Sequence, residues 1–233
     1  MNRKTVEVFH GLMKNGWIDR EEDELLWTYV KDAEVLEELE EFKAVMGIDL
    51  FRSGNRLYMI PTQNNDLFLK NNMDYRRDIQ ADNEVRKPDI YLMNYLSVYL
   101  IYLFFSGEDN DPQSRDFISC EELISKFTEH CKLAEKEDVE QETEYSENFK
   151  KLASVWLGKI EGEPQSQKIA HKYGVLNRIL RKYKKDELFT LGDDGLIRPT
   201  RKMKDLMPYF LRKDRVAEIQ NWIKGGEDRA ENQ

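Results

Sequence analysis

Seven cations fall within QKIAHKYGVLNRILRKYKKDELF, residues 167 to 189: Lys168, Lys172, Arg178, Arg181, Lys182, Lys184 and Lys185. Arg198, Arg201, Lys202 and Lys204 form a second cluster shortly after. Residues 167 to 215 hold fourteen bases and six acids, a net of +8, while the whole chain carries −9. Segregated positive charge of this kind is suited to neutralising phosphates. No Asn or Gln pair stands out for reading base edges, so the chemistry expected is contact with phosphate and shape rather than sequence. Beside this stands the reading of a merely solvated basic face, with some cations paired to Asp186, Glu187 or Asp205. Residues 19 to 41 are the reverse, with eleven acids and two bases. That surface would repel nucleic acid and suits contact with protein.

Little else points to chemistry. No Gly-rich phosphate loop or HExxH pattern occurs. His10, His130 and His171 are scattered; His130 and Cys131 are neighbours, but nothing supplies a second zinc-ligand pair, and His130 reads as a helix-surface residue. Ser114 and Ser166 lack a nucleophile context. The expectation is a protein that is not an enzyme and holds no metal or cofactor. Cys120 and Cys131 fall in one predicted helix, roughly 16 Å apart at about 1.5 Å per residue, too far to bridge. Reduced thiols and the lack of an apolar signal core in MNRKTVEVFHGLMKNGW point to the cytoplasm. IYLMNYLSVYLIYLFF, residues 90 to 105, is short of the roughly 20 residues of a membrane span and reads as a buried helix. Tyr91, Tyr95, Tyr99 and Tyr102 on it suit packing.

These residues need elements to position them. With 40% hydrophobic and 11% aromatic residues the chain can build real cores. Apolar spacing predicts helices over 3 to 15, 21 to 31 (capped by Asp19) and 33 to 45, the last stopped by Gly47. The stretch LFRSGNRLYMIPT, residues 50 to 62, then reads as strand, turn and strand around Gly54-Asn55. An ungapped LFTLGDDGLIRPT at 188 to 200 shares Leu, Phe, Gly, Pro and Thr at the same offsets. It again follows a helical segment and places Asp194-Gly195 in its turn. Between the copies lie a polar connection (62 to 88), the apolar helix and the loop SGEDNDPQS. Next come a helix opened by a Ser119–Glu122 capping box, the acidic run EKEDVEQETEYSE, and helices near 147 to 160 and 168 to 185. Val175, Leu176, Ile179 and Leu180 are expected in the core. TRKMKDLMPYFL and DRVAEIQNWIK read as terminal helices capped by Thr200 and Asp214, with a disordered tail from residue 225.

Helices followed by a β-hairpin are the order of a winged helix, and here it occurs twice. The fold expected is mainly α with small β-hairpins, an α+β chain. It comprises an N-terminal winged helix (1 to 62), a connector with the central helix (63 to 115), and a C-terminal winged helix with two terminal helices (116 to 224). In such a fold the helix before the wing usually enters the major groove, which makes the acidic first copy and basic second copy functionally unequal.

LFRSGNRLYMIPTQNN, YGVLNRILRKYKKDELF and LIRPTRKMKDLMPYFLRKDRVAEI, in that order, resemble the KITE subunits. These are the kleisin-interacting winged-helix partners of bacterial SMC complexes. The nearest likeness is to the KITE subunit of Wadjet plasmid-defence systems and its MukBEF-type and MksBEF-type relatives, over roughly residues 5 to 224. The resemblance implies a non-enzymatic, cytoplasmic and nucleoid-associated accessory subunit without a membrane anchor. Such a subunit forms a homodimer, commonly through its N-terminal half, binds a kleisin-like subunit, and helps hold DNA near the heads of an SMC-type ATPase. The family offers no invariant catalytic motif, so the cations above stand on charge pattern alone. Two other readings remain: a winged-helix transcriptional regulator that prefers an operator, and a scaffold that contacts protein only.

Overall fold

The structure is a computed structural model that describes residues 2–62, 65, 72–106, 114–136 and 144–211. It divides into two compact units, Met1–Asn72 and Met73–Gln233. Residues 137 to 143 of the acidic run, most of the loop after residue 106, and everything from residue 212 lie outside the described residues, and with them the second terminal helix, its Asp214 cap and the tail.

In the first unit, α1 (Arg3–Asn15) starts at Asn2, whose side chain accepts from the Lys4 N–H. It ends at Gly16, whose φ of 80° lets its N–H reach back to the Leu12 carbonyl, a turn that L side chains rarely adopt. β1 (Trp17–Asp19), α2 (Glu24–Val30) and α3 (Ala33–Met46) follow, with Asp23 and Asp32 as the N-caps of the two helices. β2 (Ile48–Ser53) and β3 (Arg56–Pro61) close the unit, and the antiparallel sheet has the order β1-β3-β2. Val8, Leu12, Ile18, Trp27, Val35, Leu39 and Leu57 form its core. Asp19 was expected to cap α2. Instead it lies in β1 opposite Arg56, and Asp23 caps the helix.

The second unit follows the same plan with one helix inserted and one more added at each end. After α4 (Asn72–Asp78) come α5 (Lys87–Phe105), β4 (Ile118–Ser119), α6 (Cys120–Lys136), α7 (Glu144–Leu157), α8 (Lys172–Lys185), β5 (Phe189–Leu191), β6 (Leu196–Pro199) and α9 (Arg201–Phe210). The sheet order is β4-β6-β5, again antiparallel. The expected α+β character holds in both units. The apolar helix α5 is not a free connector. Leu92, Met93, Leu96, Tyr99, Leu100 and Phe104 bury it in the second unit's core. Among the described residues no helix is long and apolar enough to cross a membrane.

The two hairpins are alike at their bases rather than their tips. Thr62 donates its N–H (2.9 Å) and hydroxyl (2.8 Å) to the Gly47 carbonyl. Thr200 donates the same two groups to the Leu188 carbonyl at 3.0 and 3.1 Å. Pro-Thr is therefore the structurally equivalent part of the repeat. The glycines are not equivalent: Gly54 takes φ of 55° in the first turn, but in the second the left-handed residue is Gly195, at 72°, not Gly192.

Both cysteines sit in α6 as free thiols, as their spacing required. His130 does not face solvent as expected. Its ring stacks on Tyr99 at 4.9 Å, and its Nε2 is hydrogen-bonded to the Tyr95 hydroxyl. Burial holds its pKa below the ordinary 6.5. The folded protein thus binds fewer protons here than the unfolded chain does. Its contribution is complete above about pH 6.5 and is lost as pH falls below that value toward the folded pKa. Urea midpoints should therefore drop between about pH 6.5 and 5 in the wild type, and less steeply in His130→Gln. Equal slopes would show that His130 is not the group responsible.

Candidate nucleic-acid interface

The basic helix α8 is amphipathic, and most of it faces inward. Tyr173, Val175, Leu176, Ile179, Leu180 and Tyr183 are buried, in agreement with the apolar spacing. The stretch before it, residues 158 to 171, is pinned onto the helix by side chains. Asn177 donates from Nδ2 to the carbonyls of Pro164 (2.8 Å) and Ser166 (2.9 Å). Lys159 bridges Asp89 and the Ile169 carbonyl, both at 2.8 Å. Ser166 Oγ and His171 Nδ1 are hydrogen-bonded at 2.7 Å. Asn177 and Lys159 escaped the sequence reading because most of their partners are backbone carbonyls ten or more residues away.

The eleven cations sort into three groups. Arg178 and Lys172 point inward. Arg178 is 4% exposed; its Nη2 donates to Asp82 (2.7 Å) and the Gln167 carbonyl (3.0 Å), and its Nη1 to the carbonyls of Ile79 (3.3 Å) and Gln80. It is a structural cation, buried away from any phosphate rather than one of the exposed contacts that the charge pattern suggests. Its position three residues after Val175 places it on the core stripe, which the charge count alone had obscured. Lys172 donates to Thr128 Oγ1 at 3.1 Å and lies 5.4 Å from the Trp156 ring centre. Burial pushes its pKa down.

A second group is held by carboxylates or carbonyls of its own unit. Lys182 pairs with Asp186 (2.9 Å), Lys185 with Asp78, Arg198 with Asp194 (2.6 Å), Arg201 with Asp205 (3.6 Å) and Lys204 with Asp116 (4.0 Å). Lys202 donates to the Asp186 carbonyl at 2.9 Å. The Arg198 hydrogen bond, with the Leu196 N–H, brings Asp194 down to about 2. The more exposed pairs, Arg198 with Asp194 and Lys204 with Asp116, contribute little to stability, whereas the Asp78 carboxylate is buried; each pair cancels charge that a phosphate would otherwise meet.

Lys168, Arg181 and Lys184 make up the third group. Lys168 and Lys184 are exposed and Arg181 is half-buried. Arg181 and Lys184 are one turn apart on α8, and Arg181 reaches the Gln167 side chain, next to Lys168. The Gln167 contact thus holds the loop that carries Lys168 against the same helix. Burial and the neighbouring Arg178 charge both lower the pKa of Arg181.

The corresponding helix of the first unit has the opposite character. Glu34, Glu37, Glu40 and Glu41 are exposed on α3, while Glu38 accepts from the Asn2 N–H at 3.0 and 2.9 Å. Leu36 and Val45 are 43% and 83% exposed among them. Glu38, Glu41, Phe42 and Val45 line a shallow cleft of about 240 Å³.

Residues 3–230 match the model of a family of unknown function, DUF6063, and the chain belongs to that family. No curated protein matches the sequence.

Proposed function

We propose that each unit is a winged helix and that the chain is a non-enzymatic accessory subunit of the KITE kind in an SMC complex. In this reading it dimerises, binds a kleisin-like subunit, and holds DNA through Lys168, Arg181 and Lys184 by phosphate contacts without sequence preference. The observation that carries the proposal is the twofold use of one topology with opposite charge. Helix, strand, helix, helix and hairpin with sheet order 1-3-2 recur in both units, with α7 inserted in the second. The helix before the hairpin is acidic with exposed apolar residues in one and basic in the other. A protein-binding half joined to a phosphate-binding half is what a subunit bridging a protein ring and DNA requires.

The test is a salt titration of duplex binding. Each phosphate contact contributes about 0.9 to the slope of log K against log salt for B-DNA. Lys168→Glu/Arg181→Glu/Lys184→Glu should lower the magnitude of that slope by about 3 and abolish retention at about 100 mM salt, with an unchanged circular dichroism spectrum. An unaltered slope would remove these residues from the interface. Affinity recovery from the native host should bring down a long coiled-coil ATPase and a kleisin-like protein. Recovery of a homodimer alone, with a preference for one operator, would favour the regulator instead.

A further inference from the structure

Two lysines of the second unit turn inward, and they are served differently. Lys159 meets a carboxylate, Asp89, and the Ile169 carbonyl, each at 2.8 Å, which suits a full ammonium charge. Lys172, the first residue of α8, meets a hydroxyl and a ring instead. Its Nζ donates to Thr128 Oγ1 of α6 at 3.1 Å and lies 5.4 Å from the ring centre of Trp156, a fully buried residue of α7. Thr128 Oγ1 also accepts from Trp156 Nε1 at 2.9 Å and donates to the Ile124 carbonyl at 2.6 Å, so the hydroxyl is saturated and its place is fixed. Among the described residues no carboxylate forms an ion pair with Lys172.

The surroundings oppose a charge on this amine. Burial is the largest influence, and Lys132 on α6 adds to it; Glu161, in the loop after α7, pulls the other way. The nearby thiol of Cys131 is itself pushed up to about 12 by burial, so it brings no counter-charge at neutral pH. Lys172 also stands at a helix N-terminus, where the peptide dipoles disfavour a cation. The Trp156 ring face attracts a cation, but 5.4 Å is near the outer limit of about 6 Å for that contact. A lysine so placed holds more free amine at neutral pH than an exposed one, and the free amine is the nucleophile.

We propose that Lys172 is an acylation site, and that the junction of α6, α7 and α8 receives the acylated side chain as readily as the free one. The donor class is a small acyl phosphate, compact enough for a half-buried amine and already activated. Nζ attacks the carbonyl carbon, the C–N bond forms as the C–O bond to phosphate breaks, and the amine proton leaves with inorganic phosphate. The product amide keeps one N–H for Thr128 Oγ1 and lays its acyl carbons toward the Trp156 ring. It no longer carries a charge into the site, so the cost of burying one is gone. The inference rests on the packing of α8 and not on its contact with DNA, in which Lys172 has no part.

Acetyl phosphate is the probe. The full chain is treated near neutral pH, and the initial rate at each lysine is read by mass spectrometry of its peptides. Lys172 should acetylate several-fold faster than Lys168 and Lys184, exposed lysines of the same stretch, and its rate should level off at a lower pH than theirs. In concentrated urea that lead should vanish. The fit of the product is tested separately by urea midpoints. Lys172→Gln, uncharged, should match or exceed the wild type, and Lys172→Arg, permanently charged, should fall below it. Three results would overturn the inference. They are a Lys172 rate no higher than those of Lys168 and Lys184 in the folded chain, a lead that persists in urea and so belongs to the local sequence, and a reversed order of the two midpoints, which would show that the junction requires the charge.

Discussion

Arg178→Ala is expected to destabilise the second unit by about 3–5 kcal/mol, the usual cost of removing one partner from a buried ionic cluster. The guanidinium joins three parts of the unit: α8, the connection after α4 through the carbonyls of Ile79 and Gln80 and the Asp82 carboxylate, and the loop at Gln167. Gln80 sits at φ 49°, a left-handed conformation that is costly without glycine, and the Arg178 hydrogen bond helps hold it there. Truncation would leave those carbonyls facing a cavity, while Asp82, half exposed, would turn to water. The same hydrogen bond keeps Asp82 below its ordinary pKa, so in Arg178→Ala that carboxyl should titrate nearer 3.8. Arg178→Lys should recover little, because a single ammonium lacks the planar fork that spans these acceptors. The measurement is urea denaturation with amide exchange at α8, set beside the salt slope of DNA binding. A lost midpoint with the slope intact is the expected pattern. An intact midpoint with a lost slope would return Arg178 to the interface.

Arg178 also shows where sequence reasoning works and where it stops. Elements with a local cause were legible: α1, α3 and α9 from apolar spacing and caps, α5 from its continuous apolar run, and the hairpins from turn residues beside β-branched and aromatic runs. The strands β1 and β4 were not. They are three and two residues long, and their partners, Tyr58 for Trp17 and Ile197 for Ile118, lie some 40 and 80 residues further on, so no local pattern marks them. The literal thirteen-residue repeat was only partly structural. Its Pro-Thr end closes both hairpins in the same way, while its glycines fall at turn positions that are not equivalent. In the candidate site the charge segregation was visible, but which cations are cancelled was not. Asp78, Asp82 and Asp116 neutralise Lys185, Arg178 and Lys204 from other elements, and a count along the basic stretch omits all three.

Asp19→Ala should destabilise the first unit by a comparable amount, about 3 kcal/mol or more. The residue is 2% exposed and faces Arg56 across the β1–β3 pair. One carboxylate oxygen takes the Arg56 Nε–H, and the other accepts from the Glu21 N–H at 2.9 Å, which fixes the turn into α2. The Asp19 carboxylate therefore sets both the register of β1 and the entry of the next helix. Without it, the Arg56 guanidinium, 14% exposed and 5.8 Å from the Trp17 ring centre, keeps a full charge in a largely dry site. Glu22 lies 3.7 Å away, but it is 61% exposed and can compensate only in part. Adding Arg56→Met to Asp19→Ala should recover most of the loss, because the buried charge leaves with its partner and the apolar replacement fills the space. Amide exchange in β1 and β3 would report the change locally. Fast exchange should appear in the single variant and slow again in the double one. A single variant that loses less than about 1 kcal/mol would place the pair with ordinary surface bridges and would leave the β1 register to the packing of Trp17 and Ile18.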